Sequence, residues 1–373
     1  MKHTTRELLE TMRVIVCCGA GGVGKTSVAA SLALAGAKLG KRVLVLTIDP
    51  SKRLAETLGV SRHQQEPVPI SAQRFADAGV EVSGSLSAWM LDPQTVSDAV
   101  VQRLSGSNES AKQLLNNKIY KNVTAMVAGM QEYTAVEALH GFVKDDAYDL
   151  IILDTPPSRN ALHFLDAPNR ITEFLDGRVF RFFLPKEGSL FQKATSKILE
   201  RVLHIALGKD STTELLTFFK MFSGILLHLG RDAKGVRAFF AEPTVAFVIV
   251  TSPEKEALLE AEYFKRKTTV ELGLNLCGVY LNRTLLDIEK HSWPEAKVKD
   301  KEPQGELRSA LEKLQVLADS EKQLIEGHRK VYDELCDKVS AEQFTVALPY
   351  LSEGVSTLRH LTSLASRLCT IEV

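Results

Sequence analysis

The stretch Gly19-Ala20-Gly21-Gly22-Val23-Gly24-Lys25-Thr26 leaves a chain few options. It follows an apolar run, Val14 to Cys18, and opens an alanine-rich segment over residues 25–39, so the order reads strand, glycine-rich turn, helix. That context turns a match to G-x-x-x-x-G-K-[ST] into a structural expectation. The chain must curl so tightly that successive N–H groups point inward, and a Cβ would obstruct the curl. The inward amides and the helix N-terminus behind them attract an anion. Lys25 adds a mobile positive charge for β- and γ-phosphates, and the Thr26 hydroxyl suits a Mg²⁺ that keeps most of its waters. The expected nucleoside-triphosphate site comprises Gly19, Gly21, Gly22, Val23, Gly24, Lys25, Thr26 and Ser27.

Apolar, β-branched runs recur with helical segments between them. This pattern predicts an α/β fold, a doubly wound, mainly parallel sheet of about seven to eight strands. The strand candidates are Val14 to Cys18, Val43 to Ile48, Leu86 to Leu91, Asp149 to Leu153, Val245 to Val250, Gly278 to Leu281 and Thr345 to Leu348. Ligands of such sheets bind at the carboxyl ends of the strands. Two aspartates stand there. Asp154 closes the run Asp149-Leu150-Ile151-Ile152-Leu153, the pattern of a Walker B carboxylate that holds Mg²⁺ directly or through water. Asp49, in Thr47-Ile48-Asp49-Pro50, is then available to orient or deprotonate the water that attacks a γ-phosphate. An Asp in such a loop also serves as a plain turn cap, and the local sequence leaves that reading open for each.

Two stretches break the sheet pattern. Residues 93–145 read as a polar-faced helical insertion with a break at Ser105 to Asn108. Residues 170–241 read as an apolar helical subdomain that holds ten of the sixteen phenylalanines. Within it Ser211-x-x-Glu214 forms a capping box ahead of Leu215, Leu216, Phe218, Phe219, Met221 and Phe222, a stripe broader than a one-sided surface helix needs. It is read either as a subdomain core shared with residues 93–145 or as a docking surface for a partner, a client helix or a membrane face. The nucleotide-binding domain thus occupies 1–92, 146–169 and 242–373. Leucines over residues 304–338 predict helical cover for the sheet, divided in two at Asp319-Ser320, and a last helix starts near Val355.

Lys and Arg together number 46, as do Asp and Glu, so the chain has no global basic field for nucleic acid. Met1 to Met12 is charged and runs directly towards the first strand, leaving no room for a signal peptide. No apolar run reaches the roughly 18 residues of a membrane span. The expectation is a soluble, cytoplasmic protein. The five cysteines, Cys17, Cys18, Cys277, Cys336 and Cys369, form no C-x-x-C pair, and Cys17 and Cys18 read as small buried side chains.

Together the loop, Asp49-Pro50 after the second strand, Asp154-Thr155-Pro156-Pro157 and the apolar helical insertion resemble the arsenical-pump and tail-anchored-protein-targeting ATPases of the deviant Walker A class. Thr47 to Ala55 and Phe164-Leu165-Asp166-Ala167-Pro168 resemble a bacterial, arsenical-pump-like branch. The resemblance spans nearly the whole chain. It implies ATP and Mg²⁺ as cofactors, Asp49 in a first switch and Asp154 in a second. It also implies adenine contacts from Asn282, in Val279-Tyr280-Leu281-Asn282-Arg283, and from the loop at Pro349. The family closes as a homodimer around two ATP molecules, and the cycle moves helical subdomains whose apolar groove takes a client.

Three departures qualify it. Ala20 stands where the deviant loop carries a second lysine that reaches the partner's phosphates, and such a cation is worth orders of magnitude in rate. Lys52, Arg53, Arg159 or a lysine-bearing paralogue in a heterodimer are the candidate substitutes. No C-x-x-C exists to tie a dimer through zinc. No cysteine cluster suits a soft metalloid, and only six methionines are present. The reading is a slow, Mg²⁺-dependent ATPase switch with an apolar client- or partner-binding subdomain. Its rivals are a hydrolysis-deficient regulatory subunit, an anion-pump subunit and a P-loop kinase. No guanine-reading Asn-Lys-x-Asp is present, and ATP over GTP rests on the resemblance.

Overall fold

A computed structural model describes residues 4–48, 53–60, 66–91, 98, 101–102, 108–117, 130–156, 204, 208–209, 212, 215, 218, 235, 238–287, 306–340, 342–351 and 354–370. Asp49, the Ser105–Ser107 part of the expected break and most of the 170–241 subdomain lie outside the described residues.

Helix α1 (Thr5–Thr11) precedes the first strand. A reciprocal cap builds it: the Glu7 N–H donates to the Thr4 hydroxyl and the Thr4 N–H to the Glu7 carboxylate, each at 3.1 Å. The Thr4-x-x-Glu7 spacing was the signal for this helix, which the reading of Met1 to Met12 passed over. Strand β1 (Val14–Cys18), helix α2 (Lys25–Lys38) and strand β2 (Arg42–Thr47) follow. Next come α3 (Arg53–Leu58), β3 (Val68–Pro69), α4 (Ala72–Asp77) and β4 (Ser85–Met90), then helices α5 (Asn108–Asn116) and α6 (Met130–Lys144). Strands β5 (Leu150–Asp154) and β6 (Val245–Thr251) lead to α7 (Lys255–Arg266), which runs into a π-helical turn, Lys267–Glu271. Strand β7 (Leu276–Thr284), helix α8 (Glu306–Lys338), strand β8 (Phe344–Pro349) and helix α9 (Leu358–Thr370) end the chain.

The eight strands lie in the order β3-β4-β2-β5-β1-β6-β7-β8. All neighbours pair in parallel except the short β3, which runs antiparallel on β4. Every position of β1, β5 and β6 is buried, as expected where helices cover both faces. One face packs against α1, α2 and α9 through side chains such as Leu9, Val28, Leu32, Leu361 and Leu364. On the other, Val136 and Leu139 of α6, Phe218, Phe239, Phe240 and Phe264 of α7 share one cluster with Val14, Val16, Leu153 and Phe247 of the strands.

Helix α8 departs from the expectation. It is one helix of 33 residues, unbroken at Asp319-Ser320, where the Ser320 hydroxyl turns back to the Val316 carbonyl at 2.9 Å and so needs no turn of its own. Only its C-terminal half covers the sheet, through Leu335 and the following Val339. Towards the N-terminus Leu314 and Leu317 are 61% and 62% exposed, so this half extends past the sheet.

Candidate functional site

Register brings the site together. Parallel pairing places Cys17 beside Asp154 and Thr47 beside Asp154, so β1, β2 and β5 end on one edge at the centre of the sheet. The glycine-rich turn leaves β1 there. A Cβ on Gly19 would lie 2.0 Å from the Val250 carbonyl oxygen of neighbouring β6. Gly24 has φ +92°, in the left-handed region, and a Cβ on it would lie 2.3 Å from the Asn282 amide nitrogen. Both positions need glycine for separate reasons, close approach in one and backbone conformation in the other. Helix α2 starts directly behind, so its unpaired first N–H groups face the turn.

Lys25 is 6% exposed and its ammonium donates to the Ala20 carbonyl at 2.7 Å, spanning the base of the loop. Thr26 donates its hydroxyl to Asp154 Oδ2 at 2.7 Å, and Thr47 donates to the same oxygen at 3.0 Å. Asp154 is fully buried. The Ile48 N–H donates to the Asp154 carbonyl at 3.2 Å, extending the pairing of β2 with β5 by one residue. Thr155 donates its hydroxyl to the Cys17 carbonyl at 2.8 Å and fixes the exit from β5. Ser27 is half-buried in the first turn of α2 and its carbonyl accepts from Ser31.

Asn282 and Pro349 come from the far side of the sheet. Asn282 is 6% exposed, and its amide donates to the Val23 carbonyl of the loop at 2.8 Å. Pro349 closes β8, is buried, and pairs with Thr284 of β7. The predicted loop residues, Thr26, Asp154 and Asn282 therefore meet around one turn, with Pro349 one strand further out. Thr47 and Thr155 escaped the sequence reading. Their signal was a hydroxyl that closes, or directly follows, an otherwise apolar strand.

The donor set suits a hard cation. Two hydroxyls and a carboxylate offer only oxygen, and Mg²⁺ takes oxygen ligands. Cys17 and Cys18 beside them do not compete as thiolates. Burial pushes the Cys17 thiol up, the Asp154 charge adds to that, and burial pushes Cys18 up to about 12. An apolar groove between α7 and α8, floored by Ile249 and Val279 and edged by Leu259, Tyr263 and Val270, is lined by none of these residues.

The family profile described as anion-transporting ATPase matches residues 12–318. A putative arsenical pump-driving ATPase 1 from Aquifex aeolicus is 24% identical over 286 residues, covering 74% of this chain and 64% of that protein. The ATPase ASNA1 homolog 1 of Paramecium tetraurelia is 32% identical over 198 residues, 52% of this chain and 55% of that protein. The ATPase GET3 of Malassezia globosa is 26% identical over 278 residues, 74% of each chain. The matched region thus spans less than two thirds of the length of the first two relatives.

Proposed function

The chain belongs to the anion-transporting ATPase family, and from that premise we propose that it is a Mg²⁺-dependent ATPase acting as a nucleotide-driven switch. The observation that carries the reading is the buried Asp154 carboxylate, which accepts the hydroxyls of Thr26 and Thr47 at the foot of the phosphate loop. A fully buried acid on a strand end, tied to the residue after the loop lysine, is the arrangement that metal-assisted phosphate chemistry requires.

Each residue has a distinct task. The loop amides from Gly19 to Ser27 bind the phosphates. Lys25 exchanges the Ala20 carbonyl for phosphate oxygens, so its present bond at 2.7 Å keeps the ammonium satisfied until they arrive. Thr26 and Asp154 would hold Mg²⁺, whose charge would offset that of the phosphate oxygens. Asp49, which follows β2 in the sequence, orients the attacking water. Asn282 and Pro349 stand on the adenine side. Two copies close over ATP and open after hydrolysis, and the 170–241 subdomain carries that change to an apolar client, partner or membrane face. The protein works in the cytoplasm, a reading consistent with the absence, among the described residues, of a helix long and apolar enough to cross a membrane.

One observation favours a second reading. Ala20 offers no cation to a partner subunit and is itself 7% exposed, packed into the core beneath the loop. A subunit that binds ATP and depends on a lysine-bearing paralogue for hydrolysis fits that residue. ATP turnover measured against protein concentration, with Lys25→Ala as the blank, separates the two. Specific activity that rises with concentration supports self-assembly of an active dimer. Turnover equal to the blank, with ATP still bound, overturns the self-sufficient ATPase and supports the paired subunit. Stimulation by oxyanions or metalloids would favour an anion-pump role.

A further inference from the structure

We propose that Asn282 is a positioning residue for the phosphate loop, acting through the Val23 carbonyl to aim the Gly24 N–H. The inference rests on the ATP-binding reading of that loop. It begins with an irregularity in β7. Pairing of β7 with β8 shifts register between Leu281 and Thr284, and Arg283, inside that interval, has φ +64°. A non-glycine residue held in the left-handed region is uncommon, and bulges of this kind re-aim neighbouring side chains beside functional sites. Here the outcome is visible: Arg283 is exposed, and Asn282 is buried with its amide on the loop.

The surroundings hold the bulge in place. The Thr284 hydroxyl donates to the Leu348 carbonyl at 3.1 Å and the Tyr350 N–H donates to the Thr284 carbonyl at 2.8 Å. The Leu285 N–H donates to His328 Nδ1 of α8 at 3.1 Å. Strand β8 and helix α8 therefore fix the backbone that presents Asn282. On the receiving side, the Val23–Gly24 peptide is trans, as are all the peptide bonds described. In a trans peptide the carbonyl and the following N–H point in opposite directions. A side chain that holds the Val23 carbonyl outward therefore turns the Gly24 N–H away from itself. The Gly24 N–H is thus pre-set by a donor placed on the carbonyl behind it, and needs no reorganisation when phosphate binds. Gly24 is required for this contact, because a Cβ there would meet the Asn282 amide at 2.3 Å.

The test uses a ligand with no base. Affinities for Mg²⁺–ATP and for Mg²⁺–tripolyphosphate are measured on the full chain, wild type, Asn282→Ala and Asn282→Ser, each checked for a native circular-dichroism spectrum and melting transition. Loss of the donor leaves a buried carbonyl to find water, and both ligands should weaken by about tenfold in Asn282→Ala. Asn282→Ser keeps a short hydroxyl that can hold a bridging water, and should recover part of the tripolyphosphate affinity. Tripolyphosphate affinity unchanged in both variants while ATP weakens overturns the proposal and leaves Asn282 as a base contact. Unchanged affinity for both ligands overturns it as well. A wild-type chain that binds neither ligand instead overturns the nucleotide reading on which the proposal stands.

Discussion

Thr47→Val removes one atom's worth of chemistry from the most buried polar cluster at the site. The threonine is 2% exposed, and its hydroxyl lies 3.0 Å from an Asp154 oxygen that also takes the Thr26 hydroxyl at 2.7 Å. Valine keeps the shape, so no cavity opens, and the whole effect is a methyl placed against a buried carboxylate. A hydrogen bond to a charged group contributes about 1.5–3 kcal/mol, more than a neutral pair. The unfolding free energy of the nucleotide-free protein should fall by that amount, read from urea titrations at constant slope. The same loss frees the carboxylate to rotate, so half-saturating Mg²⁺ in the ATPase assay should rise by about tenfold for each 1.4 kcal/mol that falls on the metal-bound state. A double-mutant cycle with Asp154→Asn isolates the term, and its coupling should reach at least ~1 kcal/mol. Additive losses from the two substitutions, or a Thr47→Val protein within ~0.5 kcal/mol of wild type, would refute the idea that Thr47 holds this carboxylate.

Three further outcomes follow from single contacts. Gly278→Ala in β7 puts a Cβ 2.6 Å from the Phe344 ring; calorimetry should show about 1–3 kcal/mol of destabilisation, largely recovered by adding Phe344→Leu. The Arg42 guanidinium and backbone N–H hold the Asp149 carboxyl at about 2, below its ordinary 3.8. The folded value is depressed, so the stabilisation is present above pH 3.8 and is lost as pH falls towards 2. Acid titrations of Asp149→Asn should therefore flatten in that window, and the variant's deficit, small because the pair is exposed, should persist unchanged from about pH 4 to pH 7. Iodoacetamide at pH 8 should leave Cys17 and Cys18 unmodified in the native protein, since both are buried and raised, and label them on unfolding; mass spectrometry of labelled peptides reads the difference.

The legible parts of this chain were those that local covalent chemistry and short-range pattern specify. Glycines at 19, 21, 22 and 24 followed by Lys25-Thr26 need no partner elsewhere to announce a turn onto a helix. Continuous apolar runs such as Val14 to Cys18 announce strands buried on both faces, and the strand-to-aspartate step at Asp154 follows from the same pattern. Helix α8 was legible as helical from its leucines. Its continuity was not, because a serine between two helical stretches is satisfied equally by a turn or by its own i−4 carbonyl, as Ser320 is here.

What the sequence determined by itself was therefore local: a glycine-rich turn onto a helix, its Lys25 and Thr26, and the carboxylate of Asp154 on a strand end. Only the tertiary structure decided which residues support them. Thr47 and Asp154 are 107 positions apart and Asn282 and Val23 are 259 apart. No periodicity along the chain encodes such pairs, because the parallel register and the β7 bulge that bring them within hydrogen-bonding distance are set by packing of the whole sheet.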